Sequence, residues 1–297
     1  MTFFKRLFAP VAALLALSSP AAQARAPQPA HPALWAVSDS DTTVYLFGTI
    51  HVLPDNYQWR TAKFDRAIAS SQQLMLETIV DQNNPQKIMS AFTGMAFQKG
   101  LPPLTARVPA DQRPALATAI QRCGLPNQYV DQMKTWAAAF LLLNCQFKDL
   151  GLKGTEGVEN ILRDNFTGSG KPVGELETNI EQLGFFDKLS EQDQRALLEG
   201  SLESPEEAQK EFDPMLKAWA KGDVEAISRT FDQQLSASPE LKEALIKRRN
   251  ANWSKWIEQR MAQPGAIMIA VGAGHLAGPD SVISLLKRDG YKVERLQ

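Results

Sequence analysis

The 297-residue chain carries 32 basic and 33 acidic side chains, 44% hydrophobic residues and a formal net charge of −1. This hydrophobic fraction is ordinary for a packed globular protein and argues against disorder beyond the termini. The near balance of charge gives no electrostatic basis for binding nucleic acid or an anionic membrane, so we expect neither partner.

The first residues have the layout of a secretory signal. Lys5 and Arg6 precede an apolar run over residues 7–17, and a small-residue cleavage-type site ends at Ala24. We therefore expect residues 1–24 to be a signal peptide and the protein to be exported, either periplasmic or secreted. The apolar run is shorter than the roughly 20 residues that cross a bilayer, and no later segment is long enough and free of charge, so no stable transmembrane segment is expected.

Apolar periodicity and turn residues predict alternating strands and helices along the rest of the chain. The first two strands flank a Ser-Asp-Ser-Asp turn and are expected to form a hairpin. The pattern indicates one α/β domain over residues 25–297, with a mixed central sheet and a large helical insertion at about 85–262. The predicted strands are 34–37, 44–47, 73–77, 171–177, 266–271 and 291–296, and the predicted helices are 60–70, most of 85–150 with a break at 123–126, most of 180–261, and 279–288.

Two cysteines, Cys123 and Cys145, are present. We expect a disulfide between them, because an exported chain meets an oxidising compartment. The alternative is a pair of buried thiols.

Two of the three histidines share one local pattern. His51 ends VYLFGTIH and His275 ends IMIAVGAGH, so each follows a strand-like apolar run and a glycine, Gly48 or Gly272. Ligands of open α/β sheets gather beyond the carboxyl ends of strands, where glycines let the backbone bend. The remaining histidine, His31, lies between Ala and Pro near the predicted mature terminus and is interpreted as structural.

Two carboxylates occupy equivalent positions. Glu77 ends the predicted strand QLMLE, and Glu177 ends KPVGELE. Two imidazoles and a carboxylate commonly hold a divalent metal ion while leaving one position open for water. A second carboxylate then serves as acid or base, and an arginine balances negative charge on a carbonyl oxygen.

Each of these residues also has a structural interpretation. A histidine after a strand glycine is often only a turn residue or a satisfied polar group. Glu77 could simply pair with a lysine, and Glu175 and Glu177 would lie on one face of a strand. Arg249, in LIKRRNANW, could belong to a solvated helix surface.

Several segments together resemble the TraB/GumN family, whose animal relatives are the Tiki proteins. Each segment is weak alone, but their order and joint presence carry the resemblance over nearly the whole mature chain. They are HPALWAVSDSDTTVYLFGTIHVLP, LMLETI, DQMKTWAAAFLL, KPVGELET followed by Gln182, LKAWAKGDVEAI, KRRNANW and VGAGHLAGPDSVISLLKRDGYKVERL.

The resemblance implies a fold similar to erythromycin esterase and the haem-binding ChaN proteins, and a metal-dependent, metalloprotease-like hydrolase activity. Manganese or cobalt is implied in preference to zinc. The family's two GxxH motifs match Gly48 to His51 and Gly272 to His275, and its acidic residue matches Glu77. Its second acidic position matches Glu177, and its arginine matches Arg249, followed by Asn250, with the adjacent Arg248 as a competitor for the same role.

These observations lead to three hypotheses for function. The first is an exported metal-dependent hydrolase that acts on a peptide or small molecule, with His51, His275 and Glu77 as metal ligands and Glu77, Glu177, Arg249 and Asn250 in the catalytic machinery. The second is a protein that binds haem or a similar ligand, and the third is a non-catalytic exported scaffold. The sequence does not reveal an oligomeric state.

Overall fold

A computed structural model describes residues 30–80, 84–236 and 238–297. The predicted signal peptide lies outside these residues. Within the described part of the chain, no helix is both long and apolar enough to span a membrane.

One mixed sheet organises the structure, in the order β4-β3-β5-β2-β1-β6. Strands β4, β3, β5 and β2 run parallel to one another, while β1 is antiparallel to both β2 and β6. The predicted hairpin and the predicted α/β class are thus confirmed. The strands are β1 (Leu34–Ser38), β2 (Thr42–Thr49), β3 (Gln73–Leu76), β4 (Val173–Glu175), β5 (Gly265–Gly272) and β6 (Val293–Arg295).

Helices cover both faces of the sheet and account for most of the segment between β3 and β5. Short 3₁₀ turns and one π-helical turn, Glu243–Lys247, connect some of them. The α-helices are α1 (Ala62–Ser70), α2 (Pro85–Ala96), α3 (Arg113–Arg122), α4 (Asn127–Asp131), α5 (Thr135–Asp149), α6 (Val158–Gly168), α7 (Asn179–Asp187), α8 (Glu191–Gly200), α9 (Pro205–Ala220), α10 (Val224–Leu235), α11 (Pro239–Lys242), α12 (Arg248–Met261) and α13 (Val282–Arg288).

Strand β5 is buried on both faces, which explains its almost continuous apolar sequence, GAIMIAVG. Its alternate residues belong to two separate apolar clusters. Met268 and Ala270 pack with the inserted helices and α1, whereas Ile267, Ile269 and Val271 pack with α12 and α13. The central parallel strands are therefore held rigidly, and their carboxyl ends form a fixed edge.

The structure refines several sequence predictions. Strand β2 extends beyond the predicted 44–47, and β4 covers only part of the predicted 171–177. Strand β4 also lies inside the 85–262 insertion, which is therefore helical on either side of one sheet strand. The sulfur atoms of Cys123 and Cys145 are bonded, which confirms the predicted disulfide and links the end of α3 to α5.

Candidate functional site

The two GxxH motifs lie side by side because β2 and β5 are paired neighbours. In the parallel register Gly48 lies opposite Val271, and Thr49 lies opposite Gly272. His51 lies two residues after Thr49 and His275 lies three residues after Gly272, and both histidines are buried. A Cβ atom on Gly48 would come within 3.1 Å of the Cα of Ala273, so the first glycine allows the two motifs to pack closely.

The two predicted carboxylates are brought together by the next strand pair. Pairing between β3 and β4 continues past the strand ends, where the backbone N–H of Glu177 donates to the carbonyl oxygen of Glu77 at 2.9 Å. Both side chains are buried. Glu175 instead accepts a hydrogen bond from the N–H of Ile79 at 2.8 Å, away from the pair.

Arg249, the second residue of α12, reaches these groups from the first turn of that helix. Its Nη2 donates to Glu77 Oε2 at 2.6 Å and to Glu177 Oε2 at 2.7 Å, and its Nε donates to Glu177 Oε1 at 3.0 Å. Its guanidinium carbon lies 4.6 Å from the centre of the Trp253 ring. Arg249 is 6% exposed, so the interpretation of it as a solvated helix residue is wrong, whereas Arg248 is exposed.

Asn250 fixes the ring of His275. Its Oδ1 lies 2.7 Å from His275 Nδ1, and its Nδ2 donates to the carbonyl oxygen of Asp280 at 2.7 Å. The second bond sets the amide orientation, so Oδ1 must accept and His275 Nδ1 must carry the proton. His275 Nε2 then carries the lone pair, and Arg249 Nη1 lies 3.1 Å from it.

His51 is oriented by a carboxylate that the sequence interpretation missed. Glu159 Oε1 lies 2.7 Å from His51 Nδ1 and also accepts the hydroxyl hydrogen bond of Thr49. Glu159 lies in the first turn of α6, where the N–H of Val158 donates to the carbonyl oxygen of Ile50 at 3.1 Å. Gly157 makes this approach possible, because a Cβ atom there would overlap the backbone oxygen of His51.

Gly272 marks the point where the groups converge. Its N–H donates to Glu77 Oε1 at 2.6 Å. A Cβ atom built on it would lie 3.1 Å from Glu77 Oε1, 3.5 Å from His51 Nε2 and 3.7 Å from His275 Cδ2. A side chain at this position would therefore crowd the carboxylate of Glu77 and touch both imidazoles.

The buried charges shift one another's pKa values. Burial alone would lower the pKa of His51, but the carboxylate of Glu159, assisted by Glu77, raises it to about 9. Burial and the positive charge of Arg249 lower the pKa of His275 to about 3. Burial opposes ionisation of Glu77, but Arg249 and the histidines hold its pKa below the ordinary value. Burial raises the pKa of Glu177 even though Arg249 acts in the opposite direction.

A cavity of about 90 Å³ opens onto this group. His51, Glu77, Glu159, Arg249 and His275 line it, together with many apolar side chains of the inserted helices and a few polar ones, among them Asn160 and Gln182. Glu177 does not line it, because its carboxylate is turned to Arg249 and Gln182. The site is thus a polar strand edge that faces an apolar helical wall.

Sequence comparisons give this arrangement a family. The family model described as TraB/PrgY/gumN matches residues 33–295. The chain belongs to the TraB/PrgY/gumN family. It is also 24% identical over 243 residues to the uncharacterized protein YbaP of Escherichia coli (strain K12) and to YbaP of Shigella flexneri, covering 82% of this chain and 87% of each relative. No solved structure gives a significant match.

In this TraB/PrgY/gumN member, every predicted site residue except Arg248 belongs to the cluster. His31 lies elsewhere and is exposed. The residues that sequence reasoning missed are Thr49 and Glu159, and Gln182 was noted only as part of the resemblance. Gln182 Nε2 donates to Glu77 Oε2 at 3.2 Å, so it helps to position that carboxylate.

The donor chemistry of the cluster is suited to a metal ion. His51 Nε2 is buried without a hydrogen-bond partner, and each histidine is held through Nδ1 by an oxygen, the usual arrangement behind a metal-ligating imidazole. As placed, however, no three histidine, cysteine, aspartate or glutamate side chains among residues 30–80, 84–236 and 238–297 are close enough to hold one ion. Arg249 occupies part of this space and competes for the lone pair of His275 Nε2.

The His51–Glu159 pair predicts a specific dependence of stability on pH. Because folding raises the pKa of His51 from 6.5 to about 9, its contribution to stability is complete below pH 6.5 and is lost as the pH rises to 9. In chelator-treated wild-type protein we expect the free energy of unfolding to fall by on the order of 3 kcal/mol over this range. Denaturant titrations at several pH values measure this change.

Glu159→Gln removes the carboxylate, so burial then dominates the pKa of His51 and lowers it. We expect the free energy of unfolding of this variant to lose its dependence on pH between 6.5 and 9. Glu156→Gln, in the turn before α6, is the matched control and should keep the wild-type slope. Equal slopes in wild type and Glu159→Gln would show that this pair does not set the protonation of His51.

Proposed function

We propose that this chain is an exported metal-dependent hydrolase, in the manner of a metallopeptidase, with His51, His275 and Glu77 as the ligands of a divalent ion. Manganese and cobalt are the proposed ions. The observation that carries the proposal is the buried, unpartnered Nε2 of His51, which shares the space beside Gly272 with Glu77 and His275. An orphaned buried nitrogen of this kind calls for a partner.

The formal charges of the cluster support a divalent cation. Arg249 pairs with Glu77 and Glu177, and His51 pairs with Glu159, so these three carboxylates exceed the positive charges by one while His51 is protonated. The excess becomes two once His51 gives up its proton, as a metal-ligating imidazole must. Buried charges of one sign are costly unless they are compensated. A divalent ion would supply this compensation, and the raised pKa of His51 reflects the same excess of negative charge.

When bound, such an ion would polarise a carbonyl group and lower the pKa of a water molecule, as zinc does to about 7. The chain's own groups prepare the site for this chemistry. Glu77 stays ionised because its pKa is lowered, which suits a ligand rather than a proton donor. Asn250 holds the His275 ring with its Nε2 toward the site, and Glu159 does the same for His51.

Arg249 is the group that we propose to balance negative charge on a carbonyl oxygen of the substrate, since it lines the cavity and carries a buried positive charge. Glu177 contacts Arg249 through both carboxylate oxygens. This contact favours a supporting role for Glu177, namely positioning Arg249, over direct proton transfer to the substrate.

We expect His51→Ala and His275→Ala to abolish metal-dependent activity. Each variant removes one ligand, so manganese retained after dialysis should fall at least about tenfold, because even indirect ligand supports cost 10- to 100-fold in affinity. Mass spectrometry of bound metal and of a digested peptide pool, with and without chelator, measures both effects. His31→Ala, which removes the exposed third histidine, should behave as wild type.

Undiminished metal retention in both ligand variants would contradict the assignment of the ligands. If no peptide is cleaved with manganese or cobalt, the reaction class is wrong. The haem-binding alternative would then be tested by titration with haem, where a Soret shift that His275→Ala abolishes would support it.

We also propose that the protein is exported, which the leader-like sequence at residues 1–24 and the Cys123–Cys145 disulfide support. The mass of the protein recovered from cells should correspond to a chain that begins at Arg25. Recovery of the intact chain from the cytoplasm, with both cysteines reduced, would contradict export.

A further inference from the structure

The apolar wall of the cavity is built by elements that the proposed chemistry does not use. This wall lines the same cavity as the proposed metal ligands His51, Glu77 and His275. Phe231 packs against Gly274, since a Cβ atom on that glycine would lie 2.6 Å from the phenyl ring, and Phe185 lies 5.4 Å from the guanidinium carbon of Arg249. The wall includes Phe185 and Phe186 of α7, Phe231 and Leu235 of α10, and Leu245 and Ile246 of the π-helical turn.

The charged groups around the cavity are already paired with one another. Arg249 binds Glu77 and Glu177, while His51 binds Glu159. Arg163, the remaining charged residue of the lining, binds Asp164 at 2.9 Å. A charged substrate side chain would therefore lose its hydration without gaining a free partner.

The volume of the cavity further limits which substrate side chains can enter it. A dry apolar cavity of about 150 Å³ holds one benzene molecule. The volume here is about 90 Å³, and Phe186 is held in place by Phe140, with ring centres 4.6 Å apart. The space fits an aliphatic side chain better than an aromatic one.

We propose that the apolar wall is a specificity subsite for an uncharged aliphatic side chain of leucine or methionine size, next to the bond that the site hydrolyses. The hydrolytic part rests on the proposed function, but the selectivity for side chains rests only on the cavity. Phe231 is the specificity-determining residue, because it is the part of the wall that packs against Gly274 of the second GxxH motif.

The first test maps cleavage sites in a random peptide pool in the presence of manganese. At one position beside the cleaved bond we expect leucine, isoleucine or methionine to exceed glycine and aspartate by at least about 10- to 200-fold, the range for a single methylene group in an apolar pocket. Phe231→Ala should enlarge the subsite and admit phenylalanine. Phe97→Ala removes a half-buried ring that contacts Tyr129 outside the cavity, so it should keep the wild-type preference.

The second test needs no catalysis and uses wild-type protein with chelator. Four compounds are titrated by NMR: N-acetyl-leucinamide, N-acetylglycinamide, uncharged N-acetylasparaginamide, and N-acetylaspartic acid α-amide, which keeps its charged side-chain carboxylate. Stronger binding of the leucine compound supports the subsite, even if no peptide is cleaved and the hydrolase proposal fails. Cleavage without side-chain preference, or equal binding of the leucine and glycine compounds, overturns the subsite and leaves the hydrolase proposal standing.

Discussion

The buried guanidinium of Arg249 is the interaction on which the architecture of the site depends. It ties α12 to the ends of β3 and β4 through Glu77 and Glu177, and it approaches the His275 ring that follows β5. A buried cation is tolerated only when it is paired and hydrogen-bonded. Removing one partner from such a pair commonly costs about 3–5 kcal/mol of folding free energy. Conversely, the carboxylates of Glu77 and Glu177 can both lie beside Arg249 because its positive charge offsets their mutual repulsion.

The same guanidinium also contacts His275, with its Nη1 at 3.1 Å from His275 Nε2. A lone pair can accept a hydrogen bond from Arg249 or bind a metal ion, but it cannot do both at once. If His275 holds a metal ion as proposed, the contact between Arg249 Nη1 and His275 Nε2 would have to break, while Arg249 Nε would stay hydrogen-bonded to Glu177. Nη1 of Arg249 would then be free to donate to a substrate carbonyl oxygen, as its proposed role requires.

The convergence of His51, His275 and Glu77 could be predicted because parallel strands end at one edge, and each residue follows its own apolar run. The role of Arg249 came only from the family resemblance, since a charged pair in a helix looks like solvated surface. Glu159 could not be predicted. Its contact with His51 depends on the long-range approach of α6 to Ile50 and on the missing side chain of Gly157, neither of which has a local signal in the sequence.

The most direct test of the account is an anomalous-scattering experiment on crystals of the protein soaked in manganese. We predict one strong peak within bonding distance of His51 Nε2, His275 Nε2 and a Glu77 oxygen, with Arg249 withdrawn from His275. A map without a peak at this place, with Arg249 still hydrogen-bonded to His275 at saturating manganese, would contradict the account.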